Sequence, residues 1–198
     1  VEMETLKGSG ARAITWHDDE YPERLKEIYD LPPVLYLRGE LLPQDARSIS
    51  LVGTRAPTAY GREAAYQLTH DIASAGVVIV SGLARGVDAI AHRAALEAGQ
   101  RTIAVMGSGI DVIYPREHER LASDILENGA IMSEYPVGTR PVAKNFPRRN
   151  RIMSGMTLGT VVIEAAERSG ALLTARHALE QDREVFAIPG NIFSPASR

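Results

Sequence analysis

With 198 residues the chain can bury one substantial core but not two full domains, and 44% apolar with 24% charged residues excludes a disordered chain. No charge-free apolar run is long enough to span a bilayer, and the lack of cysteine removes disulfides and thiolate metal sites, so a reducing cytoplasm is expected. The net charge of −3 excludes a protein that coats polyanions with its whole surface, so any nucleic-acid site must be local.

The chain opens at Val1 without a signal-like segment, and the missing methionine leads us to expect a piece of a longer protein. Residues 1–45 differ from the rest. Trp16, Tyr21, Tyr29 and Tyr36 gather there among prolines, and Val34-Leu35-Tyr36-Leu37 reads as a strand. This stretch is expected to be an extension packed on the core, with its aromatics buried in the core or the seam rather than offered as a stacking platform for bases.

From Ser48 one phrase repeats: a short β-branched run, a glycine turn, an amphipathic helix. The runs are Ile49-Ser50-Leu51-Val52, Val77-Val78-Ile79-Val80, Thr102-Ile103-Ala104-Val105, Ala130-Ile131-Met132, Val161-Val162-Ile163 and Val185-Phe186-Ala187-Ile188. Continuous apolar runs of this length belong to strands covered on both faces. Helices are predicted over 61–75, 87–98, 117–127, 148–156 and 171–181. The fold class is therefore α/β, a doubly wound, mostly parallel sheet in a domain spanning 46–198, with the small extension before it.

In such a sheet ligands bind where loops leave the carboxyl ends of the strands and helix N-termini aim free N–H groups into the crevice. Three of these loops are rich in glycine: Gly53-Thr54-Arg55, Ser81-Gly82-Leu83-Ala84-Arg85-Gly86, and Gly107-Ser108-Gly109. Glycine lets backbone amides approach a phosphate, while Thr54, Ser81 and Ser108 add hydroxyls and Arg55 a bidentate fork. The spacing does not match a dinucleotide fingerprint and no P-loop string occurs, so no cofactor is expected.

Residues 140–151 hold five basic residues, Arg140, Lys144, Arg148, Arg149 and Arg151, and no acidic one. Pro147 suits the first position of a helix, which would put three arginines in a first turn whose dipole they oppose. An anionic ligand reverses that penalty, and Phe146 beside Lys144 supplies the pairing of stacking face and phosphate contact that single strands use. Asp88 and His92 are expected to form an i,i+4 tie on their helix, and Glu164 with Glu167 to orient nearby arginines. His17, His70, His118 and His177 lack ligand spacing, so no metal site is expected.

Taken together, Val52-Gly53-Thr54-Arg55, Ser81-Gly-Leu-Ala-Arg85-Gly-Val-Asp88-Ala-Ile-Ala-His92, Gly107-Ser-Gly109-Ile-Asp111-Val-Ile-Tyr114-Pro115 and Asn145-Phe146-Pro147-Arg148-Arg149-Asn150-Arg151-Ile-Met-Ser-Gly155 resemble the DprA/Smf family of DNA-processing proteins. The likeness continues through Glu164-Ala-Ala-Glu167-Arg-Ser169-Gly170 to Val185-Phe186-Ala-Ile-Pro189-Gly190, nearly the whole chain. It implies an extended Rossmann-like fold that binds single-stranded DNA, dimerises, and helps load the RecA recombinase on incoming strands during natural transformation, with no known catalysis. It also implies that Arg55 and Lys144 are the main phosphate contacts, that Ser81, Gly82, Gly107 and Gly109 line the pocket, that Phe146 touches a base, and that Asn150 and Arg151 shape the site. Gly53, Thr54, Arg85, Asn145 and Arg148 complete the expected nucleic-acid-binding set. Threonine stands in the Gly-Thr-Arg loop where serine is also common. The N-terminal helical and C-terminal winged-helix-like domains that members often carry do not fit within this chain.

The alternative from another class is a nucleotide phosphoribohydrolase of related fold with Glu164 as its carboxylate, although Gly159-Thr160 precedes Glu164 without the expected Pro-Gly-Gly turn. A pure protein-interaction module would leave the basic segment unexplained. Leu179, Phe186, Ile192 and Phe193 are candidates for a homodimer seam or for core packing.

Overall fold

The structure, a computed structural model, describes residues 6, 8–167 and 169–190. Two strands come from the first forty residues, β1 (Arg12–Thr15) and β2 (Val34–Gly39). Six follow: β3 (Ser48–Val52), β4 (Val78–Ser81), β5 (Thr102–Met106), β6 (Ala130–Ser133), β7 (Gly159–Val162) and β8 (Glu184–Ala187). All eight share one sheet in the order β1-β2-β6-β5-β4-β3-β7-β8. The strands β3 to β8 are mutually parallel, and β2 adds antiparallel to β6 with Leu37 opposite Met132. The expected doubly wound, Rossmann-like sheet is the observed one. The first forty residues extend that sheet, with β1 running antiparallel to β2, rather than only covering its face.

The inner parallel strands, β3 to β7, are buried on both sides because helices cover both faces, whereas β8, expected from its apolar run to be covered likewise, lies at the sheet edge with Phe186 and Ala187 exposed. Val78, Val80, Ile103, Val105 and Met132 point one way, into a cluster with Ile152, Met153 and Met156. Their neighbours alternate to the other face: Ile79 packs with Ala91 and Ala95, and Ala104 and Ile131 with Leu121 and Ile125. This is the two-residue period of a strand applied to an all-apolar run. The helices are α1 (Ala59–Ser74), α2 (Val87–Glu97), α3 (Glu119–Glu127), α4 (Asn145–Met156) and α5 (Gly170–Glu180). Among the described residues no helix is long and apolar enough to cross a membrane.

Boundaries shift where local chemistry decides them. The first helix starts two residues before Gly61 because the Thr58 hydroxyl accepts the Gly61 N–H at 3.0 Å and caps it. The fourth begins at Asn145, so Pro147 is its third residue, not its first. The first-turn amides have no intrahelical acceptor, so proline forfeits no hydrogen bond there either. Of the early aromatics, Tyr21 is buried and donates to the Pro32 carbonyl at 2.7 Å, whereas Trp16 and Tyr29 are exposed, so packing in the core holds only for part of that cluster. A buried pair, Arg101 Nε to Asp45 Oδ1 at 2.9 Å, ties the segment before β3 to the start of β5.

The order of strands places the switch point between β3 and β7, since the chain walks from β3 outward to β6 and then returns to the other side of β3. Loops after β3 and β7 leave in opposite directions there and open a crevice.

Candidate nucleic-acid interface

A cleft of about 600 Å³ sits at that switch point. Gly53, Thr54 and Arg55 after β3 form one side, Ala166, Ser169, Gly170 and Thr174 after β7 another, and Phe146, Pro147, Arg149, Asn150 and Met153 of α4 the third. At its buried end the Thr174 hydroxyl has no hydrogen-bond partner among the described residues.

Arg55 is exposed at the mouth, and its guanidinium carbon lies 5.7 Å from the centroid of the Phe146 ring, within cation–π range. Tyr114 continues the stack, its ring 5.6 Å from Phe146 and tilted by 42°. Lys144 is exposed at the N-cap of α4. Among the described residues no carboxylate pairs with Arg55 or Lys144. The N-terminus of α4 carries no acid in its first turn. A free cation, a helix N-terminus and an aromatic face thus meet at one rim, an arrangement that attracts phosphates and stacks bases, while Lys144, exposed at the N-cap, is not among the residues that line the cleft.

The remaining expected residues are placed differently. Thr54 and Gly53 line the cleft, but the Thr54 hydroxyl accepts from the Ala56 amide at 3.2 Å. The Ser81 hydroxyl is buried and donates to the Leu51 carbonyl at 2.7 Å. Gly82 is beneath the Arg149 guanidinium, with which a Cβ would collide. Gly107 faces Phe146, whose Cδ1 would stand 2.9 Å from a Cβ, and Gly109 is enclosed by Pro136 and Thr139. Asn145 is buried and donates from Nδ2 to the Gly107 carbonyl at 3.1 Å. Asn150 lines the cleft and donates to the Gly170 carbonyl at 3.2 Å, linking α4 to the start of α5. Arg151 is buried in a pair of salt bridges, to Asp30 at 2.7 Å and Glu134 at 2.8 Å. Arg148 is exposed, 3.7 Å from Glu134, and Arg85 is exposed in a pair with Glu117.

Arg149, expected as one of three arginines offered to an anion in the first turn of α4, instead turns inward. It is buried, and one amino group donates to the carbonyls of Gly82, at 2.8 Å, and Val105. It thereby joins the carboxyl ends of β4 and β5. Burial lowers its pKa to about 10, which leaves it cationic at neutral pH. Beneath the same loop Asp88 accepts the amides of Gly82, at 3.1 Å, and Ala84, at 3.3 Å. Burial pushes the Asp88 carboxyl up, against the opposing pull of Arg149. Asp88 therefore holds a loop and is not tied to His92. The His92 Nδ1 meets the Thr102 hydroxyl at 2.7 Å, and that hydroxyl donates to the Ile79 carbonyl at 2.8 Å, so Nδ1 carries the proton and the buried Nε2 has no partner among the described residues. Burial, then the charges of His118 and Arg149, lower its pKa to about 3. Among the described residues Glu164 pairs with no arginine. Its carboxylate accepts from the Thr58 amide at 3.2 Å and the Thr58 hydroxyl at 2.9 Å, fastening the start of α1.

Sequence and structure comparisons show the family and the fold. The family described as DNA recombination-mediator protein A matches residues 12–198. The DNA processing protein DprA of Bacillus subtilis is 46% identical over 194 residues, 98% of this chain and 65% of that protein. The chain spans between 48% and 65% of the length of the curated relatives it matches. Among solved structures, DprA of Streptococcus pneumoniae superposes with a TM-score of 0.91 at 40% identity, covering 100% of this chain and 70% of that one. DprA of Helicobacter pylori, described for its mode of binding single-stranded DNA, gives 0.83 at 31% identity, with coverage of 93% and 84%.

Proposed function

Because the chain belongs to the DNA recombination-mediator protein A family, that of the DprA/Smf proteins, we propose that it binds single-stranded DNA at the cleft between β3 and β7. The observation that carries this reading is the rim itself: Arg55, unpaired by any described carboxylate, over the ring of Phe146, which Tyr114 adjoins, with Lys144 exposed and likewise unpaired at the N-cap of α4. Phosphates bind to Arg55 and Lys144 near the N-terminus of α4, and bases lie on the ring of Phe146. Arg149, Asn145, Asn150 and Arg151 hold the frame in this reading, and Gly82 and Gly107 make room for it. The relative from Helicobacter pylori, whose structure concerns single-strand binding, supports the choice of ligand.

In the same reading, residues 1–45 extend a DNA-binding domain of 46–198, and the protein serves uptake and recombination of incoming strands, passing them to a RecA-type recombinase. It works without a catalytic step. The Glu164 carboxylate is already engaged by Thr58, which disfavours the phosphoribohydrolase reading. A homodimer forms through the exposed Leu172, Leu173 and Leu179 of α5 and Phe186 of β8, one of the two edge strands. The other seam candidates, Ile192 and Phe193, lie outside the described residues.

The test is a salt-dependent titration of single-stranded oligonucleotides against duplex of equal length. Preference for single strands is expected. Each of Arg55→Ala and Lys144→Ala should flatten the slope of log affinity against log salt by about 0.7. Unchanged affinity and slope in both variants would remove the site from this cleft.

A further inference from the structure

The rim holds two groups that the phosphate and base contacts above leave unused. Tyr114 is an exposed aromatic, 40% accessible, on the loop after β5. Arg85, after β4, is exposed and grips Glu117 through two bonds of 2.7 Å, from Nε and from Nη2. Arg55, Phe146, Tyr114 and Arg85 line one shallow hollow beside the main cleft. From Arg55 the ring of Phe146, then that of Tyr114, make a continuous face that ends at a second guanidinium.

We propose that the bound single strand leaves the cleft along this face, stacking a further base on Tyr114 and bringing a further phosphate to Arg85, where the Glu117 carboxylate is its built-in competitor. The inference rests on the single-strand reading and extends its footprint.

Three physical points support the path. A base stacks on any aromatic face regardless of sequence, and Phe146 and Tyr114 are close enough to serve successive bases. The carboxylate of Glu117 and a phosphate present the same paired acceptors to a planar guanidinium fork. Arg85 and Glu117 are both more than half exposed, and an exposed ion pair is held weakly against water and salt. A phosphate delivered by a strand already anchored at Arg55 and Lys144 arrives at high local concentration, so it can replace Glu117 where free phosphate would not.

The device sets how far affinity depends on the reach of the strand. A strand too short to pass Phe146 leaves Arg85 with Glu117. A longer one gains a stacked base and an ionic contact but must release the carboxylate.

The experiment uses fluorescein-labelled oligodeoxythymidine in anisotropy titrations over a range of salt, with thermal melting of every variant as the check of fold. Tyr114→Ala should weaken binding about tenfold, the scale of one lost stacked base, while Tyr114→Phe keeps wild-type affinity because the ring and not the hydroxyl is used. Glu117→Gln should tighten binding several-fold and steepen the salt slope, and adding Arg85→Ala to it should cancel both changes. Arg55→Ala is measured alongside. If Arg55→Ala binds like the wild type, the single-strand reading of the cleft fails and this inference with it. If Arg55→Ala weakens binding while Tyr114→Ala and Glu117→Gln match the wild type, the cleft stands and the path over Tyr114 is overturned.

Discussion

The loop that leaves β3 and the loop that leaves β4 are built from similar residues, Gly53-Thr54-Arg55 and Ser81-Gly82-Leu83-Ala84-Arg85, and sit on neighbouring parallel strands. The first opens onto the cleft, with Arg55 exposed and free of described ion pairs. In the second, Ser81, Gly82 and Leu83 are buried, and the backbone of Gly82 is taken from both sides: its carbonyl by Arg149 and its amide by Asp88. A glycine at the carboxyl end of a parallel strand grants close approach, and the visitor can be a ligand or the protein's own side chain. At Gly82 it is an arginine brought from 67 residues away. The anion-attracting edge of the sheet is thus divided, one half stopped by a buried cation and the other left for a guest.

The largest way to test that division is to remove the stopper. Arg149→Ala leaves Asp88 buried without its cation and the carbonyls of Gly82 and Val105 without a donor. It should cost about 1–3 kcal/mol for each buried acceptor left without its donor, read by urea unfolding. If the variant unfolds like the wild type, the loop after β4 is not held from beneath.

Next in size, Gly82→Ala places a methyl against the Arg149 guanidinium and should cost ~1–3 kcal/mol. In a double-mutant cycle with Arg149→Ala this penalty should shrink, because the colliding group is gone. Strict additivity would mean that the two do not meet.

A pH series sharpens the same contrast, since His92 belongs to α2, the helix that the second loop starts. Its folded pKa of about 3 is below the ordinary 6.5, so between those values the unfolded chain binds a proton that the folded one refuses. Stability from this group is whole above pH 6.5 and falls as the pH drops toward 3. The slope is at most about 1.4 kcal/mol per pH unit. Asp88, with its raised pKa, contributes with the opposite sign, so the readout is the difference between wild type and His92→Gln. Parallel stability curves for the two proteins over that range would show that His92 does not titrate as its burial demands.

The smallest expected effect falls on the open loop. Arg55→Ala should leave stability within about 0.5 kcal/mol of wild type, as exposed substitutions do, while weakening binding. A large loss of stability would place Arg55 in the frame with Arg149.

Much of this was legible before the fold was known. Runs such as Val77-Val78-Ile79-Val80 can be satisfied only by covering both faces of a strand, and the helices between them showed in their spacing. The charge imbalance of residues 140–151 marked a special segment, but its five cations diverge: Arg149 and Arg151 turn inward to partners while Lys144 stays in solvent. Successive residues of a helix face different directions, about 100° apart, so which arginine points to the core depends on what lies against that helix.

The local pattern of residues, alone, determined the parallel strands and the glycine loops at their ends, because these depend on near neighbours and, for the inner strands, on burial of both faces, whereas β1, with two exposed residues, left no such pattern. Only the tertiary structure decided that the chain returns to the far side of β3, and therefore that Ala166, Ser169, Gly170 and Thr174 wall the cleft opposite Gly53–Arg55. Strand order, and the meeting of Arg149 with Gly82 or of Arg55 with Phe146, are long-range pairings whose free energy comes from packing of the whole domain, and no local spacing encodes them.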